Sequence, residues 1–376
     1  INLGIPHVGE QIFESIDTPE LLNCLEVSQT WKVLAENVLI KRWKGKMVEA
    51  CKSGETKVVQ LLLEHCNTEE LKLNTKDETG RTPFMGACFL GHNDIVQLLL
   101  DHSNSGIDLN ATDEDGITAF MFACDKGHKG VVQLLLNHSD KIELNARDNN
   151  GFTAFIMACE GGHKDVVQLL LDHSEKIELN ARDIDGFTAF IMACEGGLSD
   201  VVKLLLDHSN SGIDLNTTND HGFTAFMIAC DNGHKDVVQL LLNHSDKIEL
   251  NAKDINGMTA FIRACFEGHK EVVQLLLDYS NSGIDLNATN GQGETAFLRA
   301  CRNGQIDVVK LLLEHYGIID LNAKNINGLT AFMGACFEGH KDVVQLLLDY
   351  SERIELNAKD NDGYTAFMWA CDNGQS

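Results

Sequence analysis

Residues 151–186 read GFTAFIMACEGGHKDVVQLLLDHSEKIELNARDIDG, and this phrase recurs with small changes from residue 80 to the end of the chain. The glycine that opens the phrase returns every 35 or 36 residues. Regular self-similarity at this period predicts a stacked solenoid rather than several independent globules. The opening glycines are Gly80, Gly116, Gly151, Gly186, Gly222, Gly257, Gly293, Gly328 and Gly363.

Each repeat unit carries the signals of two short helices and a turn. Thr153 is placed as a helix N-cap, and the apolar face of residues 154–160 predicts a helix of two turns that ends at Gly161. A second helix is expected from about Lys164 to His173, and its Val and Leu residues cover more than half of its circumference. Such a helix is buried on two sides, against its partner and against the next repeat. The segment IELNARDIDG then predicts an extended arm and a tight turn.

Ten of the twelve cysteines occupy one equivalent position in successive repeats. Stacked helices lie roughly 8–10 Å apart, whereas a disulfide needs Cα atoms within about 7 Å. We therefore expect unbridged thiols that pack as small apolar groups in a reducing compartment, the cytoplasm or the nucleus. These cysteines are Cys51, Cys88, Cys124, Cys159, Cys194, Cys230, Cys265, Cys301, Cys336 and Cys371.

The charge balance argues against two classes of partner. With 30 basic and 56 acidic side chains the net charge is −26, which repels phosphate backbones and anionic lipid. We expect neither nucleic acid nor a membrane as partner, and no apolar run approaches the roughly 18 residues of a membrane span. The acid is either a solvated surface or a match for a basic partner. Because the chain starts at Ile1 and stops at Ser376 within a repeat, we expect a fragment or a processed chain.

The repeat resembles the ankyrin repeat. Its pattern GxTAFxxACxxGHxxVVxLLL followed by LNAxDxxG is similar to that family's GxTPLHxAAxxGHxxVVxLLL. The resemblance predicts a divergent first repeat at 44–79, eight repeats at 80–362 and a partial repeat at 363–376. It implies an all-α ankyrin solenoid of helix-turn-helix units with short β-turn tips. Two departures are the replacement of the TPLH segment by TAFM, TAFI or TAFL, with its proline retained only at Pro83, and two or three extra residues between second helix and arm.

Residues 1–43 lack the repeat and form a separate head. Apolar spacing predicts three short helices, at 8–16, 19–26 and 29–37, which read without further knowledge are a helical cap on the solenoid. The head also resembles the F-box, a small three-helix domain, through Ile5-Pro6, Ile12-Phe13, Leu21-Leu22, Val27-Ser28, Trp31 and Leu34-Ala35 in order. That resemblance implies docking onto the adaptor subunit of a cullin-RING ubiquitin ligase through Pro6, Ile12, Leu21, Leu22, Val27 and Trp31. Alternatively these residues form only the core of the head.

Several chemical sites are considered and rejected. Cys and His recur four residues apart, as in Cys124 and His128, but a glycine before each His breaks the helix, so the two need not share a face. The chain has no Gly-Lys-Ser/Thr phosphate loop and no nucleophile elbow. We therefore expect no metal, no cofactor and no catalytic residue.

A client protein is expected to bind where the repeats differ. The residue after the opening glycine is aromatic in three consecutive repeats, and basic residues follow on later first helices of an otherwise acidic chain. Exposed aromatic and Arg side chains are preferred at binding surfaces. This predicts an aromatic stripe that leads into a basic pocket suited to an acidic or amphipathic peptide. The alternative is that each Phe packs on its neighbouring turn. The predicted residues are Phe152, Phe187, Phe223, Arg263, Phe266, Arg299 and Arg302.

Two functions remain open at this point. The first is a substrate-recognition adaptor of an SCF-type ubiquitin ligase, in which the head recruits the ligase and the repeats hold an unknown client protein. The second is a non-enzymatic ankyrin scaffold or inhibitor with no ubiquitin role. For both we expect a monomer whose only partners are proteins.

Overall fold

The computed structural model describes residues 6–103 and 106–372. The chain divides into two compact units, Ile1–Glu178 and Leu179–Ser376, which are described separately. In the described ranges all regular elements are helices, apart from one isolated β-bridge between Thr112 and Thr118. The arms expected to be extended therefore form no strand.

The first unit opens with the three helices of the head, α1 (Pro6–Ser15), α2 (Thr18–Cys24) and α3 (Gln29–Trp43). Asp17 and Ser28 cap α2 and α3, each accepting a hydrogen bond from the backbone N–H three residues on. All three predicted helices of the head are confirmed, and the third extends six residues beyond its predicted end at Asn37.

Repeats complete the first unit. A divergent first repeat contributes α4 (Met47–Ser53), α5 (Thr56–His65) and the single turn α6 (Thr68–Leu71). First helices stack on first helices and second helices on second helices. The remaining pairs are α7 (Pro83–Leu90) with α8 (Asn93–Asp101), α9 (Ala119–Asp125) with α10 (Lys129–Asn137), and α11 (Ala154–Glu160) with α12 (Lys164–Leu171).

The second unit consists of repeats only and shows the same two rows of stacked helices. Its pairs are α13 (Ala189–Glu195) with α14 (Ser199–Asp207), α15 (Ala225–Asp231) with α16 (Lys235–Leu242), α17 (Ala260–Glu267) with α18 (Lys270–Asp278), α19 (Ala296–Arg302) with α20 (Ile306–Glu314), and α21 (Ala331–Glu338) with α22 (Lys341–Asp349). A last first helix, α23 (Ala366–Asp372), follows.

Threonine caps set the start of the first helix in each full repeat. The side-chain oxygen accepts a hydrogen bond from the N–H three residues on, at 3.2–3.4 Å, which satisfies one of the free donors at a helix start. The predicted cap at Thr153 and the predicted helix 154–160 are confirmed. The capping residues are Thr82, Thr118, Thr153, Thr188, Thr224, Thr259, Thr295 and Thr330.

Asparagines of the LNA segment join each arm to the next. The side-chain amide donates to a backbone carbonyl of the following repeat at 2.7–3.0 Å, and the side-chain oxygen accepts a backbone N–H there at 2.8–2.9 Å. Side-chain hydrogen bonds thus connect neighbouring arms, as backbone hydrogen bonds connect neighbouring strands in a sheet. The asparagines are Asn74, Asn110 and Asn145 in the first unit and Asn180, Asn216, Asn251, Asn287 and Asn322 in the second.

The histidines of the GH motif also join repeats. Nε2 of each ring donates to a carbonyl at the end of the preceding first helix, for example from His163 to Asp125 at 2.6 Å and from His269 to Asp231 at 2.7 Å. The ring lies against the glycine of the preceding repeat, so a Cβ added at Gly127 would lie 2.5 Å from Nδ1 of His163. The imidazole therefore holds neighbouring repeats together.

The cysteine positions belong to the core. Of the ten cysteines at the equivalent repeat position, those from Cys51 to Cys336 are all buried and free, whereas Cys371 on α23 is exposed. Burial raises the pKa of the Cys51 thiol to about 12 and that of Cys336 to about 11. These thiols stay protonated at neutral pH and are poor nucleophiles.

Candidate binding surfaces

The head leaves part of its apolar surface exposed. Ile12 is 50% exposed, Val27 61% and Trp31 44%, while Leu22 is half-buried. Pro6 begins α1. Leu21, which the sequence assigned to docking together with these residues, is fully buried and belongs to the core of the head instead.

One of the three exposed side chains takes part in an aromatic contact. Trp31 meets the buried ring of Phe13 edge to face, with centroids 5.7 Å apart and planes at 83°. Ile12 is the neighbour of Phe13, and Val27 directly precedes the cap of the helix that bears Trp31. The head therefore leaves three large apolar side chains exposed, and these three, Ile12, Val27 and Trp31, are named here the head patch.

The predicted aromatic stripe is less exposed than expected. Phe152 in the first unit and Phe187 and Phe223 in the second are each half-buried. Their N–H groups donate to the turn residue four positions earlier, which is Asp148, Asp183 or Asn219. These bonds fix the backbone of each Phe in the turn, and the residue is only partly accessible to solvent.

Phe223 packs against a charge instead of a turn. The guanidinium carbon of Arg263 lies 3.7 Å from the centre of the Phe223 ring. The same guanidinium donates to Asp254, whose side chain is fully buried, and to Asp231 at 3.0 Å. Arg263 is 12% exposed, so its charge is compensated inside the repeat stack.

The other two arginines of the predicted pocket are compensated in the same way. Glu294, with a side chain only 4% exposed, accepts from Arg299 at 3.2 Å and from Arg302 at 2.6 Å. Arg302 also pairs with Glu338 at 3.0 Å, and Arg299 stacks on Phe266 at 4.4 Å. Three arginines thus face four carboxylates. The predicted basic pocket is therefore wrong. The sequence did not reveal this neutralisation, because the acids stand 5–36 residues away along the chain from the arginines that they neutralise.

The described ranges contain neither a group of metal-binding side chains nor a helix that could span a membrane. There, no three His, Cys, Asp or Glu side chains are grouped to hold a metal ion. The imidazoles of the Cys-x-x-x-His pairs instead donate to backbone carbonyls, as His128 does to Phe89 at 2.9 Å. Among the helices of residues 6–103 and 106–372, none combines the length and apolar character needed to cross a bilayer.

Comparison with protein families agrees with this geometry. A family model described as ankyrin repeats (3 copies) matches residues 41–113, 105–183, 175–254, 246–325 and 318–376. The chain is an ankyrin-repeat protein. The matches begin at residue 41 and leave the head without a family. No curated protein matches the chain. Ankyrin repeats indicate a scaffold for protein–protein interaction, and this is the class of function that the match supports for the chain.

An open cleft lies among the ankyrin tips of the second unit. It has a volume of about 530 Å³. Ile255 at its rim is 70% exposed, whereas Met258 in its wall is buried. Phe266 and Arg299, stacked on each other, supply another wall, and Asn290 lines it with an amide. This group is named here the second-unit cleft.

Sequence reasoning missed two features of the ankyrin surface. Ile184, Ile255 and Ile326 are exposed at turn tips two repeats apart, and the signal was an isoleucine where other repeats have a polar residue or glycine. Arg81 follows the opening glycine where Phe152 stands in a later repeat. Its guanidinium lies between two phenylalanine rings of the first unit.

Proposed function

We propose that this ankyrin-repeat protein is a substrate-recognition adaptor of a cullin-RING (SCF-type) ubiquitin ligase. The head docks the ligase adaptor subunit, the repeats hold a client, and ubiquitin transfer is accelerated by proximity, without chemistry in this chain. The observation that carries the proposal is the head patch, because apolar side chains left exposed on a small helical domain mark an interaction site. A helical hairpin with outward apolar side chains suits a helix-in-groove interface.

A second candidate is a scaffold or inhibitor in which the head only caps the solenoid. The contact that favours it is between α3 and α5, which places the head on the first repeat. An ion pair between Lys57 of α5 and Glu26 of the head at 3.2 Å adds to this contact. This alternative expects no binding of a ligase subunit.

Binding of the purified ligase adaptor subunit separates the two candidates. We expect Val27→Asp to weaken it by about tenfold or more, since burial of one such side chain is worth about 1.5–3 kcal/mol. Trp31→Ala should have a similar effect. Isothermal titration calorimetry with the wild type and both variants measures the loss.

The control is Ile318→Asp, the same kind of change at an isoleucine of the second unit that is also about half exposed. It should leave adaptor-subunit binding unchanged. Trp31 touches the buried ring of Phe13, so its replacement can disturb the fold of the head. Val27 is more exposed, and Val27→Asp is therefore the variant less affected by misfolding. Failure of the wild-type protein to bind the subunit, or equal affinity of Val27→Asp, would sink the ligase role in favour of the scaffold.

For the client we propose contacts at the second-unit cleft. Because the arginines around it are compensated by carboxylates, its remaining binding capacity is apolar, at Ile255 and Phe266. A client segment that inserts an apolar side chain matches this chemistry better than the acidic peptide expected from the sequence. This proposal is independent of the head.

Ile255→Asp tests the cleft. Asp suits this turn position, and the residue is exposed, so the fold should be unaffected. Proteins captured from cells by the wild type should fall by about tenfold in quantitative mass spectrometry, because a buried apolar contact becomes a charge. Binding of the ligase adaptor subunit should not change, and Ile318→Asp should capture the wild-type set. An unchanged capture profile for Ile255→Asp would remove the cleft from the client surface.

A further inference from the structure

Arg81 is the centre of an aromatic clamp in the first unit. Its guanidinium carbon lies 4.1 Å from the ring centre of Phe89 and 4.4 Å from that of Phe122. The two rings meet edge to face at 5.3 Å and 86°. The backbone of Arg81 is fixed as well, since its N–H donates to Asp77 at 3.0 Å and its carbonyl accepts the N–H of Asp77 at 2.9 Å. The side chain is thus held in one orientation before any partner arrives.

The charge of this clamped arginine has no acidic partner among the described residues. Asp77, next to it in the turn, is occupied by Lys52 at 2.8 Å and by three donors from Thr79 and the Arg81 backbone. Nε of Arg81 is buried without a hydrogen-bond partner. The two terminal nitrogens make no hydrogen bond with the described part of the chain and are not buried, so they reach solvent.

The three arginines of the predicted basic pocket differ from Arg81 in this respect. Arg263, Arg299 and Arg302 also lie on aromatic rings or at turns, yet each is bound by at least one carboxylate. Arginine stacked on aromatic faces with its donor edge free is arranged for bidentate recognition of a carboxylate.

The lysines beside the clamp are paired with acids and add no net charge to it. Lys126 lies with its amine 5.4 Å from the Phe89 ring centre and is paired with Asp125 at 2.8 Å, as Lys52 is with Asp77. Within these contacts the charge of Arg81 is the one positive charge in excess. A single carboxylate neutralises that excess, whereas the net charge of −26 opposes a polyanion such as nucleic acid.

We infer that the clamp of Arg81, Phe89 and Phe122 binds an Asp or Glu side chain of a partner protein, flanked there by apolar residues that cover the rings. The inference rests on the client-binding half of the proposed function and not on the ligase half. It assigns an anchor for acid to the first unit, in place of the basic pocket that the second unit lacks.

Peptide selection tests the clamp without knowledge of the client. Random 16-residue peptides displayed on phage are selected on the full chain, and the enriched peptides are synthesised with each Asp or Glu also replaced by Asn or Gln. We expect a class of peptides whose affinity for the wild type falls by about tenfold or more on this single replacement, the loss of one charge-assisted pair. Arg81→Gln should lose the same factor, and on this variant the peptide replacement should have no further effect.

Two controls keep the outcome unambiguous. Arg147→Gln changes an exposed arginine of the same unit that pairs with Glu178, and should bind the peptides as the wild type does. Arg81→Lys keeps the charge but not the planar fork, and should lose most of the affinity. The inference is overturned if no acidic peptide is enriched, if the amide peptides bind the wild type equally well, or if Arg81→Gln retains full affinity. None of these outcomes depends on the ligase adaptor subunit, so this test and the test of the head fail separately.

Discussion

Glu294→Ala is expected to lower the free energy of unfolding of the second unit by about 3–5 kcal/mol, the usual cost of removing one partner from a buried ion pair. Its carboxylate is 4% exposed and is shared between Arg299 and Arg302. Without it, Arg299 keeps only the face of Phe266, and its Nε is already buried without a partner. The arginine charge would then have to leave the turn or remain uncompensated.

Glu338→Ala is the matched control for this prediction. Glu338 also pairs with Arg302, but its side chain is 36% exposed, so its removal should cost less than about 1 kcal/mol. Urea unfolding gives the total effect. Because repeat arrays need not unfold in one step, hydrogen exchange of the backbone amides in α19 locates the loss within the second unit.

Comparing Glu294→Ala with Glu338→Ala also tests whether Arg299 and Arg302 are structural residues of the turn. If Glu294→Ala unfolded at the same urea concentration as Glu338→Ala, the arginines would not depend on Glu294. Glu294 would then neutralise the two arginines without stabilising the turn. With the expected difference, Arg299 and Arg302 are structural residues of the turn.

Local signals in the sequence predicted the helices well. Thr153 caps the first helix and residues 154–160 form it, because a capping hydroxyl and a breaking glycine act over a few residues. The second helix was placed two residues too long, since its C-terminal end at Leu171 has no breaker as strong as a glycine pair.

Contacts between repeats could not be predicted from the pattern of one repeat. The role of His163 depends on the carbonyl of Asp125, 38 residues earlier, and that of Asn145 on backbone groups 31 and 33 residues later. The spacing of the repeat contains this information, but nothing local indicates which atoms meet. The same holds for Arg302, whose partner Glu338 belongs to the next repeat.

The sequence also did not show which of two adjacent apolar residues of the head is buried. Leu21 and Leu22 are equivalent in composition and pattern, but successive residues of a helix point about 100° apart. Leu21 is fully buried whereas Leu22 is half-buried. Only the packing of the three helices determines which of the two is available to a partner.

Gly127→Ala is expected to destabilise the first unit by about 2–5 kcal/mol. Two costs combine: a left-handed backbone that disfavours a Cβ by about 1–2 kcal/mol, and overpacking that typically costs about 1–3 kcal/mol. Gly127 has a φ of 70°, and its added Cβ would lie 2.5 Å from Nδ1 of His163. Thermal and urea unfolding of the variant measure the sum.

Gly45→Ala and a double change separate the two costs. Gly45 has a φ of 76° and no atom within 4 Å of its added Cβ, so its replacement should show the backbone cost alone, about 1–2 kcal/mol. In a His163→Ala background the ring is gone, and Gly127→Ala should cost no more than Gly45→Ala does. The coupling between the two sites is then the energy of the contact between ring and glycine. If Gly127→Ala costs the same with and without His163, the GH motif is kept for the hydrogen bond from Nε2 to Asp125 alone, and the fit of imidazole to glycine contributes nothing to the stack.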